Sequence, residues 1–75
     1  MGIDFRVVEV VTEAGLEREL VVPQARSPEA AARLAIGETL VRSGRRQDLR
    51  AKVYFQHPDQ PISMVRLYRR QEDRP

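Results

Sequence analysis

Few side chains in this sequence of 75 residues are equipped for catalysis or metal binding. The single histidine, His57, begins a segment in which Asp59 follows two residues later. A histidine and a carboxylate can bind a metal ion or shuttle a proton, but two loop residues alone do not make a site. The segment 57–61 also contains Pro58 and Pro61, and proline and aspartate are common turn formers. We therefore interpret His57 as a strand end and Asp59 as a turn residue.

The other catalytic residue types are equally sparse. The sequence has no cysteine, which excludes disulfides, thiolate nucleophiles and zinc sites built on sulfur. No serine has the context of a nucleophile elbow, the glycines are isolated, and no group of carboxylates has metal-site spacing. The sequence therefore predicts a protein that is not an enzyme and that has no cofactor or metal ion.

Basic and aromatic residues in the last third of the chain have the composition of an anion-binding surface. Apolar and polar side chains alternate from residue 49 to residue 56, which is typical of a strand with one buried face. If Phe55 lies opposite Ser63, then Lys52 lies opposite Arg66 on the exposed side. Tyrosines among cations resemble the stacking and phosphate contacts of single-stranded nucleic acid binding. The candidate binding face consists of Arg50, Lys52, Tyr54, Arg66 and Tyr68, together with Arg45 and Arg46.

The same register predicts the other neighbours in this hairpin. It pairs Val53 with Val65 and Ala51 with Leu67 on the buried side, and it places Arg50 near Tyr68 and Tyr54 near Met64. Like charges directly opposite one another destabilise a sheet, so Lys52 and Arg66 favour an anion site. A solvated, arginine-rich surface that resists aggregation is the alternative interpretation of the same residues.

The first third of the chain predicts another β-hairpin. Residues 3–12 form a strand, 13–15 a turn and 16–22 a second strand that Pro23 ends. Val8 and Val10 do not share the parity of Phe5 and Val7, so the first strand has either a bulge or a partly apolar outer face.

A single helix lies between the two hairpins. Ser27, Pro28 and Glu29 are a helix start, because serine caps a free backbone N–H and proline favours the first helical position. We expect this helix to run to about Arg42 and to end at the Ser-Gly pair 43–44. The predicted buried stripe consists of Ala30, Leu34, Gly37 and Val41, with Ile36 and Leu40 beside it. Gly37 on that stripe predicts a close approach of the helix to the sheet.

These elements predict an α+β fold of order ββαββ, with a four-stranded antiparallel sheet and one helix on one face. Residues 1–75 form one domain, with an ordered core at about 3–69 and a charged tail at 70–75. One helix covers one face of such a sheet, so the other face is wet, binds a partner or pairs with a second copy. We therefore expect the function on that uncovered face.

Charge is distributed unevenly along the chain. Residues 1–40 carry four basic and seven acidic side chains, whereas residues 41–75 carry nine basic and four acidic ones. Such asymmetry favours an anionic partner, although twelve arginines against one lysine are also typical of a GC-rich genome. With no apolar run of membrane-spanning length and no signal-like start, the sequence predicts a soluble, cytoplasmic protein that does not bind membranes.

Two resemblances to known proteins bear on this interpretation. The hairpin and helix of residues 5–35 resemble the opening of small uncharacterised α+β proteins of GC-rich bacteria and phages, and more distantly a small archaeal ribosomal protein of the large subunit. The tripeptide 57–59 matches that of the J-domain co-chaperones, but J-domains are all-helical and the strand pattern before it contradicts that resemblance. No functional residue is carried over from either.

The sequence therefore favours a non-enzymatic binding or assembly domain that forms a homodimer through the uncovered face or an edge of the sheet. An acidic, apolar first hairpin beside a basic, aromatic second hairpin is self-complementary under a twofold axis. The alternative is a nucleic-acid-binding module that uses the candidate binding face.

Overall fold

A computed structural model describes residues 3–11 and 16–70 of the chain. Its elements are β1 (Ile3–Val11), β2 (Leu16–Ala25), α1 (Pro28–Ile36), β3 (Leu40–Val41), a 3-10 helix (Arg46–Asp48), β4 (Leu49–Phe55) and β5 (Ser63–Arg69). The five strands form one antiparallel sheet of order β2-β1-β4-β5-β3. The predicted turn at 13–15 and the tail from residue 71 onward lie outside the described residues. The α+β class and the single helix are confirmed.

A fifth strand is present because the helix is shorter than predicted. It ends at Ile36, not near Arg42, and Gly37 caps it with a φ of 85° and an N–H that donates to the carbonyl oxygen of Arg33 at 2.9 Å. Glycine adopts this left-handed conformation without the steric cost that other residues incur. The chain released by the early end pairs Leu40 and Val41 with β5. The predicted order ββαββ with four strands is corrected accordingly.

The start of α1 follows the prediction. The Ser27 hydroxyl accepts a hydrogen bond from the N–H of Ala30 at 3.0 Å, and Pro28 occupies the first turn. Glu29 lies in the same turn, where its charge favours the positive end of the helix dipole. This local sequence therefore determines where the helix begins.

The buried side of α1 differs from the predicted stripe. Pro28, Ala31 and Ala32 are buried, whereas Leu34 is 73% exposed. Small alanines allow the helix to lie close to the sheet, and Gly37 has no role in that approach because a Cβ there would meet nothing within 4 Å. The predicted buried side of the helix is wrong, because the faces of an alanine-rich helix differ little in hydrophobicity.

The core lies between α1 and one side of the sheet, which we call the covered face. Its buried side chains alternate along the strands and include Phe5, Val7, Val22, Ala51, Val53 and Leu67. The irregularity of the first hairpin lies in β2, where the register shifts between Ile3 and Phe5 and Gln24 has a φ of 61°. β1 itself alternates regularly, so Val8 and Val10 belong to the other side of the sheet. β2 is an edge strand, which tolerates Pro23.

Candidate functional site

On the side of the sheet opposite α1, no helix of residues 3–11 and 16–70 is packed, and we call this side the open face. Side chains along a strand alternate between the two sides, so the neighbours of the buried core residues point to this side. The open face consists of Arg6, Val8 and Val10 on β1, Glu17, Glu19 and Val21 on β2, Lys52 and Tyr54 on β4, and Met64, Arg66 and Tyr68 on β5.

Strand register arranges these residues in rows across the four long strands. One row, which we call the charged row, contains Glu19, Val8, Lys52 and Arg66 in that spatial order. The next row, which we call the mixed row, contains Val21, Arg6, Tyr54 and Met64. Each row therefore begins on β2 at one edge and ends on β5 near the other edge.

The register predicted for the second hairpin is confirmed over most of its length. Phe55 pairs with Ser63, Val53 with Val65, Ala51 with Leu67, Lys52 with Arg66 and Tyr54 with Met64. Two like charges thus lie directly opposite one another on the open face, as predicted. Tyr54 and Tyr68 are both half-buried, so neither residue is fully enclosed.

Arg50 departs from this register and does not join the other candidates on the open face. A register shift between Leu49 and Ala51 makes Leu49, rather than Arg50, the partner of Tyr68. The guanidinium of Arg50 instead lies 2.6 Å from Glu9 Oε2 and donates through Nε to Glu38 Oε2 at 2.9 Å. A bulge of this kind turns a side chain towards the opposite face. Arg50 therefore belongs to the covered face.

Glu9 is the centre of the ion-pair network that holds Arg50. Its side chain is 9% exposed, and its other carboxylate oxygen accepts from Arg18 at 2.7 Å. Burial alone would raise the pKa of Glu9, but the hydrogen bonds and charges of Arg50 and Arg18 outweigh burial and hold the pKa below its ordinary value. Burial would likewise lower the pKa of Arg50, yet Glu9 and Glu38 raise it. Both groups are therefore charged and paired with one another, and their role is structural.

The sequence offered one signal for this network that the prediction did not use. Glu9 has the same parity on β1 as Phe5 and Val7, so it points to the covered face. A carboxylate on a buried stripe needs a cation, and long arginine side chains are the usual source. Which arginine supplies it depends on the pairing of β1 with β4, and that pairing is not local in sequence.

Arg45 and Arg46 are exposed and lie in the connection between β3 and β4. This connection passes Tyr68 closely, because a Cβ added to Gly44 would lie 2.7 Å from the Cβ of Tyr68. The two arginines therefore follow directly after the point where the chain contacts this tyrosine. The structure thus brings them to the Tyr68 end of the open face.

Charges on the open face are partly paired within the chain. Arg6 Nε lies 3.0 Å from Glu19 Oε1, and Lys52 Nζ lies 3.7 Å from Glu17 Oε2. Arg66 is exposed and has no ion pair with any residue that the structure describes. Among the described residues of the open face, the acidic side chains are on β2, and Arg66 is on β5, three strands away.

The end of the open face beside the β4–β5 loop is concave, and both apolar and charged residues line it. A groove of about 860 Å³ lies there, and the mixed-row residues Arg6, Val21 and Tyr54 contribute to its lining. Ile62 also lines the groove, and it is 66% exposed. Val21 and Met64, at opposite ends of the mixed row, are 65% and 37% exposed. Exposed apolar side chains are therefore concentrated at this end of the face.

His57 also borders the groove, and its ring contacts Phe55 edge-on with centroids 5.7 Å apart. Asp59 adopts a left-handed conformation with a φ of 63° in the loop, as suits a turn residue. Within residues 3–11 and 16–70, no cluster of three or more histidine, aspartate or glutamate residues is arranged to hold a metal ion.

Comparisons with known proteins give no relative for this chain. No protein-family model matches it, and neither the curated proteins nor the solved structures include a significant match. None of the helices in the described part of the chain is long and apolar enough to cross a lipid bilayer. The case for function therefore depends on the open face itself.

Proposed function

We propose that this protein is a non-enzymatic assembly domain that associates with a second copy of itself through the open face. The observation that carries this proposal is the separation of charge across that face, with Glu17 and Glu19 on β2 and, on β5, Arg66, which has no ion pair with any described residue. A surface that carries opposite charges on strands far apart in the sheet can bring them together in a symmetric pair.

Apolar side chains on the open face support the same proposal. Val21 and Met64 are exposed on the mixed row, and Ile62 is exposed beside it. Small domains bury little apolar surface of their own, so covering these side chains stabilises the pair relative to separate chains.

A second candidate function is nucleic acid binding, and one observation favours it. Lys52 on β4 and Arg66 on β5 lie opposite one another. Tyr54 is on the neighbouring row, and Tyr68 is near the end of β5. Against it, Lys52 is already near Glu17, Arg50 is engaged with Glu9, and the β2 carboxylates on the same face repel phosphate. Self-association is therefore the function that we favour.

Mass in solution distinguishes the two candidates. We expect the wild-type chain, of 8.6 kDa, to sediment with a mass that rises towards twice this value as its concentration increases from about 10 to 500 µM. Because opposite charges contribute, the dimer should weaken as salt increases. A mass that stays at one chain over this whole range contradicts the proposal.

Oligonucleotide binding is measured in parallel. Short single- and double-stranded oligonucleotides are titrated into isotopically labelled protein at low and at high salt. We expect no salt-sensitive shifts confined to β4 and β5. If such shifts occur and the protein remains monomeric, nucleic acid binding replaces self-association as the function.

A further inference from the structure

The rows of the open face point to a specific arrangement of the two copies. We propose that the copies stack open face to open face about a twofold axis that runs along the strands. In this arrangement Glu19 of each copy faces Arg66 of the other, and Arg6 of each copy faces Tyr54 of the other. The inference rests on the proposed function and adds to it the orientation and the residue pairs of the interface.

The charged row is complementary to the same row of a second copy when that row runs in the opposite direction. A twofold axis along the strands, centred between β1 and β4, places β2 of one copy over β5 of the other and keeps each row on itself. Glu19 then meets Arg66, which has no ion pair within the described chain. Val8 meets Lys52, whose methylene groups can pack on it while its ammonium group stays near solvent. Both ends of the row thus gain an opposite charge.

The mixed row is complementary in the same orientation. Reversal of this row places Val21 of one copy over Met64 of the other, so that two exposed apolar side chains cover one another. Arg6 faces Tyr54, and a guanidinium on a tyrosine ring is a favourable cation–π contact. Every position of both rows therefore meets a compatible side chain under one symmetry operation.

Two other symmetric pairings of the same chain are less complementary. A twofold axis within the face but perpendicular to the strands lays β2 on β2 and β5 on β5. If this axis passes through the charged row, Glu19 faces Glu19 and Arg66 faces Arg66; if it passes between the two rows, Glu19 faces Val21 and Arg66 faces Met64, so neither gains an opposite charge. Edge-to-edge pairing of β2 strands brings two copies of the Glu17 and Glu19 column side by side, and the bulge at Gln24 interrupts the edge. Repulsion or the absence of opposite-charge contacts therefore disfavours both alternatives.

The size of the face sets the expected affinity. Four strands about 4.8 Å apart, with about 3.3 Å per residue along each, give a surface of roughly 20 by 20 Å. That is about half of the ~800 Å² that each partner buries in a standard protein interface. We therefore expect a weak dimer with a dissociation constant of about 10 to 500 µM, which lies within the concentration series.

Charge reversal at the two predicted contacts tests this arrangement. Glu19→Lys alone makes both intermolecular contacts repulsive, and so does Arg66→Glu alone, so each variant should raise the dimer dissociation constant about tenfold or more. A mixture of the two variants should pair, because the introduced Lys then faces the introduced Glu and the native Glu19 faces the native Arg66. With one variant labelled, sedimentation should show a heterodimer within about threefold of the wild-type affinity.

Matched controls on the covered side separate specific contacts from net charge. Glu29→Lys breaks an exposed ion pair with Arg42, much as Glu19→Lys breaks one with Arg6, and Arg33→Glu reverses an exposed cation on α1. Both controls should dimerise within about twofold of wild type, and circular dichroism should show all four variants folded.

The possible results separate this inference from the proposed function. A wild-type dimer whose charge-reversed variants fail to pair when mixed overturns the arrangement and leaves self-association standing. A dimer that Arg66→Glu does not weaken also overturns it, as expected for pairing through the β2 edge. A wild-type monomer overturns both the arrangement and the proposed function.

Discussion

Glu9 and Glu19 each bind an arginine across the first two strands, but they do so on opposite faces of the sheet. The Glu9 side chain is 9% exposed and contacts both Arg18 and Arg50, whereas the Glu19 side chain is 54% exposed and contacts Arg6 at 3.0 Å. Buried ion pairs lose solvation and depend on every partner, while exposed pairs contribute little to stability. The covered face therefore uses charge to complete a folded structure, and the open face keeps charge available for a partner.

The charged groups of the covered face lie next to the end of the helix. α1 contains nine residues and contacts β1, β2 and β4, but it does not extend over the whole of these strands. Glu38, directly after the helix cap, binds Arg50, and Arg50 in turn reaches Glu9. These side chains form an ion-pair network on the covered face directly after the end of the helix. On the open face, by contrast, no helix of the described chain is packed.

The largest expected effect comes from removing the centre of the covered network. Glu9→Gln should lower the free energy of unfolding by about 3 kcal/mol, because Arg18 and Arg50 lose the carboxylate that compensates their charge. Glu19→Gln, the matched change on the open face, should lower it by about 0.5 kcal/mol or less. Urea denaturation followed by circular dichroism measures both. Equal losses would contradict the contrast between the faces.

Two adjacent valines on β1 give a comparison without charge. Val7 is fully buried on the covered face, and Val8 is partly exposed on the open face. Val7→Thr places a hydroxyl in the core and should lower the free energy of unfolding by about 2 kcal/mol, whereas Val8→Thr should change it by about 0.5 kcal/mol or less. The same urea experiment measures both variants. A large loss in Val8→Thr at concentrations where the protein is monomeric would show that the open face is part of the core.

Gly44 marks the place where the chain covers part of its own open face. A Cβ at this position would lie 2.7 Å from the Cβ of Tyr68 and 3.0 Å from its Cγ, so Gly44→Ala requires the backbone or the tyrosine to move. We expect a loss of about 1.5 kcal/mol in the free energy of unfolding. Ser43→Ala, at the neighbouring exposed position, is the control and should be close to neutral. A neutral Gly44→Ala would mean that the connection does not pack on Tyr68.

Local patterns in the sequence predict the strands well, because a strand with one buried face permits only registers that keep its parity. The pairs from Phe55 with Ser63 to Ala51 with Leu67 follow from alternation and loop length alone. Arg50 could not be predicted in this way. Its bulge serves a contact with Glu9, which is 41 positions away in the chain and becomes its neighbour only when β1 pairs with β4.

The end of the helix, unlike the strands, could not be predicted from local patterns. Gly37 and the pair 43–44 are both adequate stop signals, and the sequence does not state which one ends the helix. Pairing of Leu40 with β5 determines that Gly37 ends the helix, since the helix must end before β3 can form. The sequence also gives a weak signal for which side of the helix faces the sheet, because alanines dominate the buried side and Leu34 remains exposed. The open face, however, follows from one helix and a sheet, so its existence was predictable even though the strand order was not.

The smallest expected effect is on the pH dependence of stability. Arg50 and Arg18 hold the pKa of Glu9 below its ordinary value in the folded chain, so the folded state favours the ionised form. This stabilisation is fully present above the ordinary glutamate pKa of about 4.3 and is lost as the pH falls through the lower pKa of the folded state. The hydrogen bond from Arg42 lowers the pKa of Glu29 and acts with the same sign.

Wild-type stability should therefore decline on acidification below about pH 4.3, and Glu9→Gln should decline less steeply, by at most about 1.4 kcal/mol per pH unit. Urea denaturation at several pH values between about 3 and 7 measures both slopes. Val8→Thr is the control, because it keeps both carboxylates and should retain the wild-type slope. If Glu9→Gln kept the full slope, the ionised carboxylate would not be what Arg50 and Arg18 stabilise. The ionisation of Glu9 would then not contribute to the stability of the covered face, and the charge contrast between Glu9 and Glu19 would no longer hold.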